Sequence, residues 1–168
     1  MVTRVQTVAG NVGYRHQLDR ARRFLDRVER PYDDWEDMIS DVEFQDMLWS
    51  FFQHCWHVKD WLLNDPLASD AQKQVASNMV HQSPALKVCQ DLCNGTKHLQ
   101  LRWPSSGSGA SHQYVDRIIA PGQGLVEIDC MVDDGHGKLI SGKKLARECI
   151  AEWEQILASQ GLATTRLS

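Results

Sequence analysis

The chain has 168 residues and a formal net charge of -4 at pH 7, a length that fits one domain able to bury most of its apolar surface. Hydrophobic residues make up 42% and charged residues 24%, which argues against disorder, and the longest apolar runs are far too short to cross a bilayer. The negative net charge argues against nucleic-acid affinity over the whole surface, but local basic patches remain open. Five irregularly spaced cysteines and an N-terminus without an apolar signal core predict a reduced, cytoplasmic protein.

The first predicted helix begins near Tyr14 and stops at Arg30, before Pro31. One side carries a stripe of apolar residues at spacings of four and three, which predicts burial: Tyr14, Leu18, Ala21, Leu25, Val28 and Tyr32. The other side carries a basic row at the same spacings: His16, Arg20, Arg23, Arg27 and Arg30. This row can meet a phosphate backbone. In the alternative, Asp19 and Asp26 pair with Arg23 and Arg30 at i,i+4, and the face is simply solvated.

The strongest helical pattern covers residues 41–64. Its core line is predicted to be Phe44, Leu48, Phe51, Cys55, Val58 and Leu62, and the Asn-Asp-Pro sequence at 64–66 ends the helix. A shorter helix is predicted over 70–81, with Ala71, Val75 and Met79 at its contact face. The tryptophans are expected mostly in the core. Alternatively, Trp49 and Trp56, which are seven residues apart beside the main stripe, line a dimer interface.

The next helix begins sharply, because Ser83 is a good N-cap and Pro84 suits the first helical position. Two stripes follow at helical spacing through residue 97. One is apolar (Ala85, Val88, Cys89 and Leu92) and the other is polar (Lys87, Asp91, Asn94 and His98). The helix is therefore predicted to face two environments.

After His98 the hydrophobic period changes to two, which predicts strands over 99–103, 113–119 and 126–132. A flexible loop is predicted at 104–111, and the DDGHGK turn leads to a short return strand through Leu139 and Ile140. Ser141 then caps the last helix, which ends before Gly161. The predicted fold is α+β and mainly α: a single domain over 1–168, formed by a bundle of four main helices with a small antiparallel sheet inserted at about 99–140.

A candidate site follows from the expected helix directions. Helices joined by short connections usually pack antiparallel, so the helices at 41–64 and 84–97 are expected to run in the same direction with their C-terminal ends together. That arrangement gathers five polar residues: His57, Asp60, Asn94, Lys97 and His98. In the alternative, His57 and Asp60 are merely exposed, and His98 caps carbonyl groups at the end of its helix.

The sequences HVKDW at 57–61 and NGTKH at 94–98 resemble a pattern of uncharacterised bacterial proteins of the HEPN superfamily. The resemblance implies a helical bundle, a homodimer and, for many members, metal-independent RNase activity in toxin-antitoxin or phage-defence systems. The family motif is an Arg, a polar residue, three variable residues and a His. Asn94 and His98 match the polar residue and the histidine, Cys93 stands at the Arg position, and Asp91 occupies an alternative, more distant Arg position.

RNA cleavage without a metal needs a base for the ribose 2′-OH, a group for the leaving oxygen and a cation for the developing phosphate charge. The candidate catalytic residues are His98 as base or acid, Asn94 and Lys97, with His57, Asp60 and Asp91 in a supporting polar cluster. Arg102 or an Arg of the first helix would have to replace the motif cation. RNA binding is assigned to Arg20, Arg23, Arg27 and Arg30.

Two rival chemistries use the cysteines. His54 and His57 on one helix could converge with Cys89 and Cys93 on another around zinc, but Cys55 and Cys89 fall on apolar stripes, which favours buried free thiols. A Cys93 nucleophile served by His98 lacks an orienting third group. No cofactor and no metal are therefore expected.

The leading functional hypothesis is an HEPN-like protein that contacts RNA or nucleotide, as a weak RNase or as a degenerate binder. The competing class is a non-enzymatic module that binds another protein. No membrane partner is expected in either case. A homodimer is predicted from the resemblance and from the number of large aromatic residues on the long helix.

Overall fold

The computed structural model describes residues 13–32, 38–95, 104–119 and 126–167. The helices in this part of the chain are α1 (Tyr14–Val28), α2 (Asp41–Leu63), α3 (Asp70–Gln82), α4 (Pro84–Gly95) and α5 (Gly142–Ser159). The strands are β1 (Ser111–Ile119), β2 (Val126–Asp133) and β3 (Leu139–Ser141), which form one antiparallel sheet in the order β1-β2-β3. The predicted fold class is confirmed. The strand predicted at 99–103 lies outside the described residues.

The helix boundaries follow from local capping, as the sequence predicts. The Ser83 and Ser141 hydroxyls accept hydrogen bonds from the backbone N–H groups of Leu86 at 3.3 Å and Lys144 at 3.0 Å. These bonds satisfy donors that have no partner within the helix. Gly161 closes α5 with a φ of +67°, and the next N–H, of Leu162, bonds to the Leu157 carbonyl at 2.9 Å. This is the αL closure for which Gly is favoured.

The core is built around α2. The predicted core line from Phe44 to Leu62 is confirmed, since all six of its residues are buried. Trp153 of α5 is fully buried against this line, and its indole N–H donates to the Cys55 carbonyl at 3.0 Å. A buried indole N–H needs such a partner. The same core receives Ile128, Cys130 and Val132 from one face of β2, which confirms the alternation predicted for this strand. None of the helices described is long and apolar enough to cross a membrane.

The contact face predicted for α3 is wrong at two of its three residues, since Met79 is half-buried and packs against the core. Ala76 and Val80 are the buried apolar residues of this helix, whereas Val75 is 42% exposed and Ala71 is also exposed. Both sets of residues have spacing of four, so periodicity alone favours neither. Tertiary packing decides the rotation of the helix.

The helix directions behind the candidate site are also wrong. The His81 ring lies 6.1 Å from the Trp56 ring, and Cys89 Sγ lies 3.4 Å from the Phe52 carbonyl oxygen. Between His81 and Cys89, the contact on α2 therefore moves from Trp56 to the earlier residue Phe52. This order means that α4 runs antiparallel to α2. The cause is the path of α3, because Gln72 and Met79 both contact Gln160. Helix α3 crosses the end of α5 and does not return the chain to the start of α2.

Candidate nucleic-acid interface

The predicted basic row lies along the outer side of α1. Arg23, Arg27 and Arg30 are exposed, and Arg20 is half-buried. The opposite side of the helix is buried, because Leu18, Ala21 and the other residues of the apolar stripe pack into the core. The stripe thus orients the helix, and the row of arginines faces outward as a consequence.

The carboxylates of α1 form their hydrogen bonds and ion pairs with partners outside the basic row. Asp19 pairs with Arg22 at 3.0 Å and accepts the Leu167 N–H at 2.8 Å. Asp26 forms two hydrogen bonds with Arg166, at 2.8 and 3.0 Å, and these bonds hold the pKa of Asp26 below its usual value. The alternative prediction, in which Asp19 and Asp26 neutralise Arg23 and Arg30, is therefore wrong. The acidic groups of α1 are turned toward the C-terminal segment, on a different side of the helix from the row.

Aromatic rings of α1 and α2 flank the arginines. The Arg20 guanidinium lies 5.1 Å from the centre of the Trp61 ring, and that of Arg27 lies 5.2 Å from the Phe24 ring. The Phe24 ring stacks on His54 with centroids 5.1 Å apart and an interplanar angle of 26°. Each of these three rings is half-buried, so each retains exposed surface. We call this surface the basic–aromatic face, and it comprises Arg20, Arg23, Phe24, Arg27, His54 and Trp61.

His54 is held rigidly at the centre of this face. The Gln17 side-chain amide donates to His54 Nδ1 and to the His54 carbonyl, both at 3.0 Å. Because Nδ1 accepts, the neutral imidazole carries its proton on Nε2. Burial lowers the pKa of His54, and the positive charges of Arg20, His57 and Arg23 lower it further. A bound anion would oppose these repulsions.

The three described residues of the predicted polar cluster, His57, Asp60 and Asn94, do not meet. His57 is half-buried and Asp60 exposed in the second half of α2, beside the start of α4. Asn94 lies at the other end of α4, about 15 Å from Pro84 at a rise of about 1.5 Å per residue. Lys97 and His98 lie outside the described residues. His57 instead follows His54 by three residues on α2 and so lies beside the basic–aromatic face.

Asp91, which the sequence places on the polar stripe of its helix, is buried, with 1% of its surface exposed. Its carboxylate accepts hydrogen bonds from the backbone N–H groups of Ser105 (2.6 Å), Ser106 (2.8 Å) and Ala110 (3.3 Å), and from the Ser106 hydroxyl (2.5 Å). These bonds attach the Ser-rich loop before β1 to α4. Asp91 is therefore an anchor for this loop. Cys93, which stands at the motif's Arg position, is fully buried, so this position presents no cation to solvent.

All five cysteines are buried and none forms a disulfide, which confirms the buried thiols predicted for Cys55 and Cys89. The Sγ atoms of Cys55, Cys89 and Cys149 lie within 4.8 Å of one another, the one such group of potential metal ligands found among the described residues. The proposed convergence of His54 and His57 with Cys89 and Cys93 is absent from that part of the structure. His54 is bonded to Gln17 on the side of α1, whereas Cys89 lies in the core.

Sequence reasoning missed the aromatic half of the interface. The available signal was Phe24, a large apolar residue outside the predicted stripe and at helical spacing from Arg20 and Arg27. The sequence predicts His54 only as a candidate zinc ligand. The pairing of these residues depends on how α1 packs against α2, which periodicity does not reveal.

Comparisons with models of protein families, with curated proteins and with solved structures find no match to this chain. The HEPN-like assignment therefore stays a prediction, based on the residues of the 57–61 and 94–98 sequences.

Proposed function

We propose that this protein is an HEPN-like RNA-contacting protein that holds single-stranded RNA across the basic–aromatic face. The observation that carries the proposal is the combination of Arg23 and Arg27 with the half-buried rings of Phe24 and Trp61, on a side of α1 from which its carboxylates are turned away. The predicted basic row alone was equally compatible with a solvated surface.

The physical case for RNA is that arginines and aromatic rings lie side by side on this face. Arginines neutralise phosphates and release their counterions, while aromatic rings stack on unpaired bases. Stacking requires bases that are not already paired, so the rings favour a single strand over a duplex. The net charge of -4 fits a binding surface confined to one face. The five free thiols fit a reducing compartment, and we place the protein in the cytoplasm.

The test is the salt dependence of RNA binding. A labelled single-stranded RNA of about 16 nucleotides spans a typical single-strand site. Replacement of both Arg23 and Arg27 by Ala should make the slope of log K against log salt shallower by about 1.4, because each phosphate contact on a single strand contributes about 0.7. Lys138→Ala, which removes an exposed cation in the β2–β3 turn, is the matched control and should leave the slope unchanged.

Stacking is tested separately by Trp61→Leu, which removes a ring but no charge. We expect a loss of about 1–3 kcal/mol in binding free energy, the usual contribution of one stacked base, with the salt slope retained. A duplex of the same sequence should bind more weakly than the single strand. No binding at low salt, or equal slopes for the double variant and the wild type, would contradict the proposal.

Exposed apolar side chains favour a second candidate, the protein-interaction module. Leu67 is 74% exposed, and Leu63 and Val75 are 41% and 42% exposed, so the region around the end of α2 offers apolar contact area to another protein. In this case RNA binding would be absent. The predicted homodimer rests on the family resemblance, because Trp56 is buried within the chain and does not line an interface.

A further inference from the structure

Three helices each contribute one cysteine to a cluster in the core. Cys55 comes from α2, Cys89 from α4 and Cys149 from α5, and all three are fully buried. Their sulfur atoms lie within 4.8 Å of one another. The cluster is separate from the basic–aromatic face and from the loop that Asp91 anchors, so neither feature accounts for it.

The spacing of the sulfurs suits a single central atom. Three bonds of about 2.3 Å to sulfur separate the sulfurs by about 4 Å in a planar centre and by less in a pyramidal one. Sulfurs that lie within 4.8 Å of one another therefore need to approach by at most about 1–1.5 Å. Among the described residues, no fourth Cys, His, Asp or Glu ligand atom lies within 4.8 Å of all three sulfurs. Structural zinc sites almost always use four ligands, so three sulfurs favour an element that accepts three-coordination.

The net charge of the bound complex distinguishes among the elements that accept three ligands. Cys89 Sγ donates to the Phe52 carbonyl at 3.4 Å and Cys149 Sγ donates to the Ala85 carbonyl at 3.5 Å, so both are protonated thiols. Burial raises the pKa of Cys89 and Cys149 well above the ordinary value. At Cys55 the hydrogen bonds from Cys149, Cys89 and Trp153 outweigh the effect of burial and lower the pKa to about 5. Three thiolates around Cu(I) would carry a charge of -2, and around Zn²⁺ a charge of -1, in a core where unpaired charge is strongly disfavoured. A trivalent centre gives a neutral complex.

We propose that Cys55, Cys89 and Cys149 form a binding site for a trivalent, thiophilic, three-coordinate centre of the arsenite type. The reaction is a condensation: As(OH)3 and three thiols give As(SR)3 and three molecules of water. Each As–O bond is replaced by an As–S bond, and each thiol proton leaves with a hydroxide as water. Arsenic remains trivalent and the sulfurs are not oxidised, so no oxidant or reductant is required. With all three cysteines as thiols, no free proton is released or taken up. A Cys55 thiolate takes up one proton from solvent as the third water forms, and the complex is neutral in both cases.

Native mass spectrometry of the intact, reduced protein incubated with arsenite tests the proposal, because the mass reports the number of thiols used. A three-thiol site adds one arsenic and removes three hydrogens, whereas a two-thiol adduct keeps a hydroxyl on arsenic and is heavier. We expect the hydroxyl-free mass at a stoichiometry of one in the wild type. Cys93→Ser and Cys130→Ser, which alter buried cysteines outside the cluster, are the matched controls and should keep it.

Cys149→Ser should abolish the hydroxyl-free mass and leave at most the heavier two-thiol adduct. Because a core substitution can impair folding, the wild-type measurement stands by itself: absence of arsenic uptake, or a mass that retains hydroxyl, would overturn the proposal. Stronger competition by Zn²⁺ than by arsenite for the wild-type thiols would overturn it as well, since the neutral complex would then not be the preferred one.

Discussion

His112 is expected to make the fold sensitive to mild acid. Its ring stands edge-on to Trp49, with centroids 4.9 Å apart, and its Nδ1 lies 3.5 Å from Cys130 Sγ. The other ring nitrogen, Nε2, is buried and has no hydrogen-bond partner within the described residues. Burial lowers the pKa of His112 from 6.5 to about 4. Protonation therefore puts a charge into a buried site where the described residues offer it no counterion.

The size of the effect follows from the shift in pKa. A folded-state pKa below the unfolded value means that the unfolded chain binds more protons, so stability is full above about pH 6.5 and falls as the pH decreases toward 4. One pKa unit corresponds to about 1.4 kcal/mol, so His112 should cost about 2 kcal/mol between pH 7 and pH 5. The full loss, reached near pH 4, is about 3 kcal/mol.

Urea unfolding at pH 7 and pH 5 measures this loss in the wild type and in His112→Phe. Phe keeps a planar ring against Trp49 but has no proton to gain, so the variant should lose about 2 kcal/mol less than the wild type over this range. His136→Gln, in the exposed β2–β3 turn, is the matched control and should behave as the wild type. Burial also lowers the pKa of His54 and His81, so only the difference between variants isolates His112. Equal pH dependence of wild type and His112→Phe would refute the reasoning.

Two further predictions concern the anchored loop and the oligomeric state. Asp91→Ala leaves three backbone N–H groups without their acceptor and should lower the free energy of unfolding in urea by about 3 kcal/mol or more. Asp91→Asn retains one acceptor oxygen and should cost less. Equal losses for the two variants would exclude the anchoring role. Sedimentation at tens of micromolar protein, on the order of weak-association conditions, should show a homodimer, and a monomer would count against the dimer that the resemblance implies.

The sequence predicted those features that depend on local chemistry. Ser83 and Ser141 define helix starts through their own hydroxyls, and Gly161 supplies the positive φ that ends α5. The buried line of α2 from Phe44 to Leu62 is long and regular enough to be read without knowledge of the partner helices. The structure at these positions depends only on residues within a few helical turns along the chain.

The features that failed depend on the path of the chain in space. The rule that short connections join antiparallel neighbours predicted a return through α3, but this helix crosses the end of α5 instead. The burial of Asp91 follows from the arrival of loop amides from residues 105–110, which the polar stripe of α4 does not indicate. The three-cysteine cluster likewise needs three helices to converge, and the cysteine spacing carries no signal of it.

The placement of His57 away from Asn94 separates two activities that the sequence had combined in one site. His57 follows His54 of the basic–aromatic face by three residues on α2, whereas Asn94 lies in the last turn of α4. RNA binding and any RNA cleavage should therefore respond to different substitutions.

If cleavage occurs as the family resemblance implies, His98→Ala and Asn94→Ala should abolish it while RNA affinity stays unchanged, because proton transfer depends on these groups and phosphate binding on α1. The Arg23 and Arg27 double variant should show the opposite pattern at low substrate concentration: weaker binding, with cleavage restored when RNA is saturating. Cleavage by His98→Ala at the wild-type rate would remove this histidine from the mechanism. Absence of cleavage by the wild type across varied RNAs would leave a binder without nuclease activity, the outcome that agrees with the buried Cys93 at the position of the motif's cation.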